Sequence, residues 1–146
     1  MRRIIINGAN GYVASNFILK LLEKEYEVVA LVRENEKYSA EERMESVLFH
    51  IQGGNFNKPE NLSVYRYSLT DENFSIPEAQ LKEIFNEEAD YFHFAASLKY
   101  DEKSKDEIFG TNVDGVENSI KVFSNYARDK SRFFLAGTAY SCGKWE

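Results

Sequence analysis

Apolar residues along the chain alternate between short continuous runs and positions spaced three or four residues apart. Short β-branched or aromatic runs predict buried strands, and they occupy residues 3–7, 28–32, 64–67, 91–94 and 132–136. The wider spacing predicts helices, one beginning at residue 11 and the others covering residues 39–51, 81–85 and 104–129. Strands and helices therefore follow one another in alternation.

This alternation predicts an α/β fold in which a parallel sheet is covered by helices on both faces. Right-handed crossovers then order the strands 3-2-1-4-5, as in a doubly wound parallel sheet of the Rossmann type. The two prolines, Pro59 and Pro77, fall between predicted elements, and no repeat or low-complexity linker divides the chain. We therefore expect residues 1–146 to form a single domain.

Composition and charge narrow the class of protein. The 146 residues carry a net charge of −6, and 43% are hydrophobic, which excludes a disordered chain. An acidic balance without a Lys/Arg block argues against nucleic acid as a partner, and no run is long and apolar enough for a membrane helix. One cysteine and two histidines argue against a disulfide framework and a metal site. We expect a cytoplasmic protein that uses no metal.

A glycine turn joins the first predicted strand to the first predicted helix. It reads Gly8-Ala9-Asn10-Gly11-Tyr12-Val13-Ala14. Glycine permits a tight turn and a close approach of the backbone to a pyrophosphate, and the helix N-terminus behind it attracts anionic oxygens. The turn therefore predicts a nucleotide site, with a G-x-x-G-x-x-A spacing in place of the commoner G-x-G-x-x-G.

The residue after the second predicted strand bears on which nucleotide binds. An acidic residue near this place usually accepts hydrogen bonds from the adenosine ribose, but this chain has Arg33. A guanidinium suits a 2′-phosphate through its charge and its bidentate geometry. We therefore expect NADP to be preferred to NAD. The alternative interpretation is an exposed arginine paired with Glu34 or Glu36.

Four motifs, in order along the chain, resemble those of the extended short-chain dehydrogenase/reductases. They are the glycine turn, FHFAA at 92–96, TNVDGVEN at 111–118 and GTAYSCG at 137–143. Three details look closest to the branch of fatty acyl-CoA reductases and thioester reductases, namely LVR at 31–33, LKYD at 98–101 and TAYSCG at 138–143. Sugar-nucleotide epimerases and dehydratases share most of these motifs and form the alternative branch.

The resemblance implies a dinucleotide-binding domain and a set of site residues. Cofactor contacts are implied for Gly8, Asn10, Gly11, Tyr12, Val13, Arg33, Ser68, Leu69, Ala95 and Ala96. Thr138 matches the Ser/Thr that hydrogen-bonds a substrate carbonyl or hydroxyl, and Asn112 matches the helix asparagine that supports the active site. Ser68 stands where the family usually has Asp, so the chain departs from the family at the residue that contacts the adenine amino group.

The resemblance also implies NADP-dependent reduction of a carbonyl or an acyl thioester in the complete enzyme. The family's proton donor is a Tyr in a Tyr-x-x-x-Lys helix. The strings that begin at Tyr126 and Tyr140 fit poorly, because one lies at a predicted helix end and the other contains a glycine. We therefore expect a domain truncated after the fifth strand and inactive alone. The alternative is a non-catalytic module that senses a nucleotide or binds a partner.

Packing and assembly follow from the remaining patterns. His93 has no second metal ligand near it, which favours a structural role. Cys142 has no histidine close to it in the sequence to act as a base, so we interpret it as a packing residue rather than a nucleophile. One face of the last predicted helix is apolar and should cover the sheet; its residues are Ile108, Val113, Val116, Ile120 and Phe123. The fifth strand would leave an unpaired outer edge, which favours pairing with another copy. We expect a homo-oligomer.

Overall fold

The computed structural model describes residues 2–99 and 101–137. Its strands are β1 (Arg3–Asn7), β2 (Val28–Val32), β3 (Leu62–Arg66), β4 (Ala89–His93) and β5 (Arg132–Leu135). Its α-helices are α1 (Tyr12–Glu23), α2 (Ala40–Ile51), α3 (Glu78–Ile84), α4 (Lys105–Phe109) and α5 (Gly115–Tyr126). All strand pairs are parallel and the order is β3-β2-β1-β4-β5, which confirms the predicted fold class and strand order.

The central strand, β1, is buried along its whole length. Successive side chains of a strand lie on opposite faces of the sheet. Ile4 and Ile6 consequently pack in the core shared with α1 and α2, and Ile5 packs in the core shared with α3 and α5. Continuous apolar runs are expected where both faces are buried, which is why the sequence predicts β1 and β2 with their observed bounds.

The other strands differ from their predicted bounds by one or two residues at their ends. β3 begins at Leu62 rather than residue 64, and β4 begins at Ala89 rather than residue 91. The start of β4 was missed because it contains Asp90, and a carboxylate is unusual inside a buried strand. Asp90 is only 6% exposed, yet Arg2 and Arg132 both donate hydrogen bonds to it.

The prediction of one continuous helix over residues 104–129 is wrong, because the helix is interrupted and ends earlier. A π-turn at Gly110–Asp114 separates α4 from α5, and α5 ends at Tyr126. A π-turn holds one residue more than a turn of α-helix. Each later residue is therefore rotated by about 100° around the helix axis relative to an uninterrupted helix.

The rotation changes which face of α5 covers the sheet. Gly115, Ser119 and Val122 are buried, whereas Val113 and Ile120, which were predicted to cover the sheet, are 38% and 46% exposed. Gly115 allows the helix to come close, since a Cβ there would lie 2.6 Å from Leu69 Cδ2. The prediction of the covering face is therefore wrong for these two residues, because an unbroken helical period was assumed.

Apolar residues remain on the outer side of α4 and α5. Phe109 is 58% exposed, in addition to Val113 in the π-turn and Ile120 in α5. Within the described residues β5 is also an edge of the sheet, and its Leu135 is exposed. Both features are compatible with contact between two copies of the chain, and self-association stays a prediction.

A cluster of charges at Asp90 joins β4 to β5 and to the N-terminal segment. Arg132 donates to the two carboxylate oxygens from Nε at 2.8 Å and from Nη2 at 2.6 Å, and Arg2 Nε donates at 3.0 Å. The hydrogen bonds from Arg132 hold the pKa of Asp90 below its ordinary value. The folded state therefore favours the charged carboxylate.

We expect Asp90→Asn to lower the free energy of unfolding at neutral pH by about 1–3 kcal/mol, because it weakens several charge-assisted hydrogen bonds. The matched control is Glu88→Gln, since the Glu88 carboxylate is more exposed and pairs with Arg2, at 3.1 Å, near the surface. That change should cost less than about 1 kcal/mol. Urea unfolding measures both variants, and equal losses would contradict the assignment.

The pH dependence of this contribution follows from the direction of the pKa shift. Because the pKa of Asp90 is lowered in the folded state, its stabilising effect is complete above the unfolded value of about 3.9. The effect is lost as the pH falls through the lowered folded value. Asp90→Asn should therefore reduce the loss of stability seen on acidification.

Candidate functional site

A cleft of about 170 Å³ lies at the carboxyl ends of the central strands, where the sheet order reverses between β1 and β4. Ligands of doubly wound sheets bind in the crevice at this reversal. The cleft is lined by Gly8, Asn10, Gly11, Arg33, Tyr67, Leu69, Phe94, Ala95, Ala96 and Thr111. Whole small-molecule sites measure about 300–1,000 Å³, so this volume corresponds to one part of a dinucleotide.

A larger open groove, of about 810 Å³, lies between α3 and α5 on another part of the surface. It is lined by Lys82, Phe85, Asn86, Tyr126 and Arg128, among others. It contains no glycine turn, and it is not at the carboxyl ends of the strands. The smaller cleft is therefore the better candidate for a nucleotide site.

Gly8 sets the shape of the cleft because it brings β1 and the loop after β4 close together. Its φ is +58°, a conformation that residues with a Cβ rarely adopt. A Cβ on Gly8 would also lie 2.8 Å from both the N and the Cα of Ala95. The turn is then closed by the Gly11 N–H, which donates to the Gly8 carbonyl at 3.0 Å.

The N-terminus of α1 faces the same turn with free backbone donors. Gly11 is the N-cap and supplies no side-chain cap, and the first turn of the helix contains no acidic residue. The N–H groups of Tyr12, Val13 and Ala14 have no acceptor among the described residues. Ser15, which could compete for them, instead donates from Oγ to the Gly11 carbonyl at 2.6 Å. The N-terminus of α1 therefore has the geometry of an anion-binding site.

The buried side chain of Asn7 fixes the loop opposite the glycine turn. Its Oδ1 accepts hydrogen bonds from the N–H groups of Phe94 at 2.8 Å and Ala95 at 3.1 Å. Its Nδ2 donates to His93 Nδ1 at 2.9 Å and to Ser119 Oγ at 3.2 Å. Because Asn7 is fully buried, these bonds tie the ends of β1 and β4 to α5.

His93 has a structural place in this network. It is 1% exposed, and its Nε2 lies 3.0 Å from the Ala95 carbonyl oxygen. A carbonyl can only accept, so Nε2 carries the proton and Nδ1 accepts from Asn7 and from Ser119 Oγ, at 3.1 Å. Burial lowers the pKa of His93, which favours this neutral form. The expectation of a structural histidine agrees with this geometry.

Seven of the ten residues expected to contact a cofactor line the cleft: Gly8, Asn10, Gly11, Arg33, Leu69, Ala95 and Ala96. The side chains of Tyr12 and Val13 are 85% and 63% exposed, so only their backbone N–H groups lie at the helix end. Ser68 does not line the cleft; its N–H donates to the Phe74 carbonyl at 2.8 Å. Thr138 lies outside the described residues, as do Cys142 and Tyr140.

Arg33 has no carboxylate partner within the described part of the chain. Glu34 pairs instead with Arg66, at 2.7 Å. The Arg33 carbonyl accepts a hydrogen bond from Arg43 on α2, which brings a second guanidinium to the end of β2. The alternative of an Arg33 ion pair with Glu34 or Glu36 is therefore not what the structure shows.

Asn112 lies in the π-turn and contacts the loop after β4. Its Oδ1 accepts from the Ser97 N–H at 2.8 Å, and its Nδ2 lies 3.4 Å from the Ser97 carbonyl. Asn112 does not line the cleft, but its neighbour Thr111 does. The π-turn therefore brings Thr111 to the cleft and Asn112 to the loop at Ser97.

Sequence reasoning missed several residues of the site. Tyr67, Phe94 and Thr111 line the cleft, and Asn7 holds its wall. A polar residue that ends a run of three isoleucines was a signal for Asn7, since buried amides need partners. Tyr67 gave no signal, because its contact with Gly8 joins residues 59 positions apart.

A doubly wound sheet with a glycine turn at its reversal point defines a nucleotide-binding domain. Residues 6–146 match the NAD-binding family described as male sterility protein, and the chain belongs to this family. The match confirms the resemblance to the reductase branch of the extended short-chain dehydrogenase/reductases. An uncharacterized protein of Schizosaccharomyces pombe is 25% identical over 133 residues, which are 91% of this chain and 13% of that protein.

Solved structures share the fold. An archaeal thiolation-reductase di-domain of a non-ribosomal peptide synthetase superposes with a TM-score of 0.80 at 20% identity, over 99% of this chain and 37% of that one. The terminal R domain of the myxalamid pathway gives 0.75 at 15% identity, over 95% and 35%. Gre2 of Candida albicans, solved with NADPH, gives 0.71 at 19% identity, over 96% and 38%. The chain thus spans about a third of these structures.

Among the described residues, no helix is both long and apolar enough to cross a membrane. Within the same residues no three His, Cys, Asp or Glu side chains come together as metal ligands would.

We expect the free energy of unfolding to fall as the pH is lowered through the range in which histidine titrates. Burial lowers the pKa of His93 in the folded state, so below about 6.5 the unfolded chain takes up a proton that the folded chain does not. The contribution of neutral His93 to the free energy of unfolding is therefore complete above that pH, and it is lost as the pH falls from there through the lowered pKa of the folded state.

Asn7→Asp tests the assignment of this effect to His93. A carboxylate still accepts from Phe94 and Ala95, but it attracts a proton on His93 Nδ1 and should raise the His93 pKa. The dependence of stability on pH should then become flatter. NMR titration of the His93 ring protons measures the pKa, with Asn16→Asp on α1 as the control for added charge. An unchanged His93 pKa in Asn7→Asp would refute the network.

Proposed function

We propose that the chain binds NADP(H) in the cleft and forms the cofactor-binding domain of a reductase acting on a carbonyl or an acyl thioester. The observation that carries the proposal is that residues from four separate parts of the chain meet at one cleft. Residues from the ends of β1 and β2 and from the loops after β3 and β4 line one cleft, and the unsatisfied N-terminus of α1 lies at the same turn. Membership of an NAD-binding family supports the nucleotide.

The residues present fit such a cofactor. The pyrophosphate would meet Gly8, Asn10 and Gly11 and the backbone N–H groups of Tyr12 and Val13. The N–H groups of Tyr12 and Val13 have no acceptor among the described residues, and the first turn of α1 contains no acidic residue to oppose an anion. Leu69 would lie beside the adenine. Ala95 and Ala96 would line the ribose, since Gly8 brings this loop close to the turn.

NADP is proposed over NAD because of the charge at the end of β2. Arg33 lines the cleft, it has no carboxylate partner among the described residues, and Arg43 lies against its carbonyl. Two guanidinium groups favour a 2′-phosphate, whereas an acidic residue would favour the free ribose hydroxyls. Gre2 of Candida albicans, which shares the fold, was solved with NADPH.

The bound nicotinamide would supply a hydride for transfer to the substrate carbonyl carbon. Within the chain, Asn112 would hold the loop at Ser97, and Thr138 is proposed to donate a hydrogen bond to the substrate oxygen. A thioester is proposed because two of the structural neighbours are reductase domains of peptide synthetase and polyketide pathways. The alternatives are part of a sugar-nucleotide epimerase or dehydratase, or a non-catalytic nucleotide sensor.

Residues 1–146 are proposed to act as one dinucleotide-binding domain, in the cytoplasm and as a homo-oligomer. The exposed apolar residues of α4 and α5 and the edge at β5 support contact between copies. The partners proposed are the cofactor and a small-molecule or acyl-thioester substrate.

Gly11→Asp should abolish dinucleotide binding without unfolding the protein. Gly11 has φ −70° and ψ 163°, which other residues adopt, and Asp is a good N-cap. A Cβ there would lie 3.2 Å from the Gly8 carbonyl oxygen, so the turn must shift by a few tenths of an ångström. The Asp carboxylate would oppose the pyrophosphate. Gly11→Asn is the matched control, since it caps the helix without a charge and fills the same space. Calorimetric titration with NADPH measures the affinity of both variants. Equal affinities would contradict the placement of the phosphates at this turn.

Arg33→Gln should weaken NADPH binding by roughly 10-fold or more and leave NADH binding nearly unchanged, because only NADPH carries the 2′-phosphate. Arg66→Gln is the matched control, since Arg66 ends the neighbouring strand β3 and pairs with Glu34 outside the cleft. Fluorescence titration with both nucleotides measures the preference. A parallel loss for NADPH and NADH in Arg33→Gln would contradict the role in the 2′-phosphate site.

A further inference from the structure

Tyr67 continues the hydrogen bonding between β3 and β2 by one residue beyond the end of β3. Its N–H donates to the Val32 carbonyl at 3.2 Å, which continues the pairing of β3 with β2 by one residue. Its ring is 5% exposed, and its hydroxyl reaches the start of the glycine turn. There the Gly8 N–H donates to Tyr67 Oη at 3.1 Å. Tyr67 therefore connects the end of β3 to the end of β1, across the end of β2.

A strained turn holds the ring from the other side. Asn73, Phe74 and Ser75 have φ values of 51°, 58° and 53°, so three consecutive residues lie in the left-handed region. Each such residue costs roughly 1–2 kcal/mol. The turn buries Phe74 completely and packs it edge-on against Tyr67, with ring centroids 5.4 Å apart. Strain of this kind persists where the surrounding structure fixes it, and it is concentrated at functional sites.

The phenol has one hydrogen-bonding capacity left. A tyrosine hydroxyl donates one proton and accepts on its oxygen, and the Gly8 N–H already occupies the acceptor side. Among residues 2–99 and 101–137, no acceptor lies within hydrogen-bonding distance of the phenol proton. Burial raises the pKa of Tyr67 to about 12, so the hydroxyl keeps that proton at neutral pH. Tyr67 is thus a buried donor without a partner on the wall of the cleft.

The groups around this donor indicate what it would bind. Arg33 lines the same cleft and also has only donors, and the free N–H groups at the start of α1 are donors as well. A cluster made only of donors suits the oxygens of a phosphate group, which only accept.

We propose that Tyr67 is a phosphate-binding residue of the cleft: its hydroxyl accepts from Gly8 and donates to a phosphate oxygen of the bound dinucleotide. This proposal rests on the proposed function. The phosphate is either the pyrophosphate or the 2′-phosphate, and both offer the same acceptor. In this role Tyr67 couples the position of the glycine turn directly to the ligand.

The test compares three variants with the wild-type protein. Tyr67→Phe removes only the hydroxyl. Tyr65→Phe is the matched control, because Tyr65 lies two residues earlier, in β3, is partly buried and does not line the cleft. Phe85→Leu controls for stability, since Phe85 is buried against Tyr91 and does not line the cleft. Urea unfolding identifies conditions in which every variant is folded, and titrations with NADPH, NADH and adenosine are made there.

Tyr67→Phe should bind NADPH about 10-fold or more weakly, as expected for one hydrogen bond to a charged group. A similar loss for NADH assigns the contact to the pyrophosphate, and an unchanged NADH affinity assigns it to the 2′-phosphate. Tyr65→Phe and Phe85→Leu should keep the wild-type affinities. Adenosine, which has no phosphate, should bind Tyr67→Phe as it binds the wild type, or show no binding to either.

Three results would overturn the proposal. Tyr67→Phe could bind both dinucleotides as the wild type does, Phe85→Leu could lose as much affinity as Tyr67→Phe, or adenosine could lose as much as NADPH. Each leaves the proposed function intact if the wild type binds NADPH. A wild-type protein that binds neither dinucleotide would instead refute the proposed function, and the role of Tyr67 with it.

Discussion

The cleft depends on one buried amide, the side chain of Asn7. Its oxygen receives the N–H groups of Phe94 and Ala95, and its nitrogen donates to His93 and Ser119. An amide can accept and donate at once, so a single side chain fixes the end of β4 to the end of β1 and to α5. A carboxylate or an aliphatic residue of similar size could not make all four contacts. The glycine turn beside it can hold a ligand only if the opposite wall of the cleft stays in place, and Asn7 fixes that wall.

Two close contacts of glycine residues also shape the cleft. Gly8 lies against the backbone of Ala95, and Gly115 lies against the side chain of Leu69. The first brings the glycine turn to the loop after β4, and the second brings α5 to the loop after β3. Thr111 reaches the cleft from the π-turn just before α5. The lining of the cleft is thus positioned by two places where the absence of a Cβ lets neighbouring segments come close.

The sequence predicted what depends on local periodicity and missed what depends on contacts between distant residues. β1 and β2 were predicted with their observed bounds because their apolar runs are uninterrupted. Asp90 obscured the start of β4, since its partners Arg2 and Arg132 are far away in the sequence. The π-turn was missed because helical periodicity continues on both sides of it. Within the site, the glycine turn was evident, whereas Tyr67 depends on a hydrogen bond that no motif encodes.

The strand order has a consequence for how the chain folds. Ile4 pairs with Val28 in β2 but with Asp90 in β4, so the second pairing closes a much longer loop and costs about 1 kcal/mol more entropy. Both walls of the cleft exist only after that distant pairing has formed. Pairings that span many residues slow folding. A ligand of the cleft therefore binds only the fully assembled sheet, and its binding energy stabilises both halves of the sheet against unfolding.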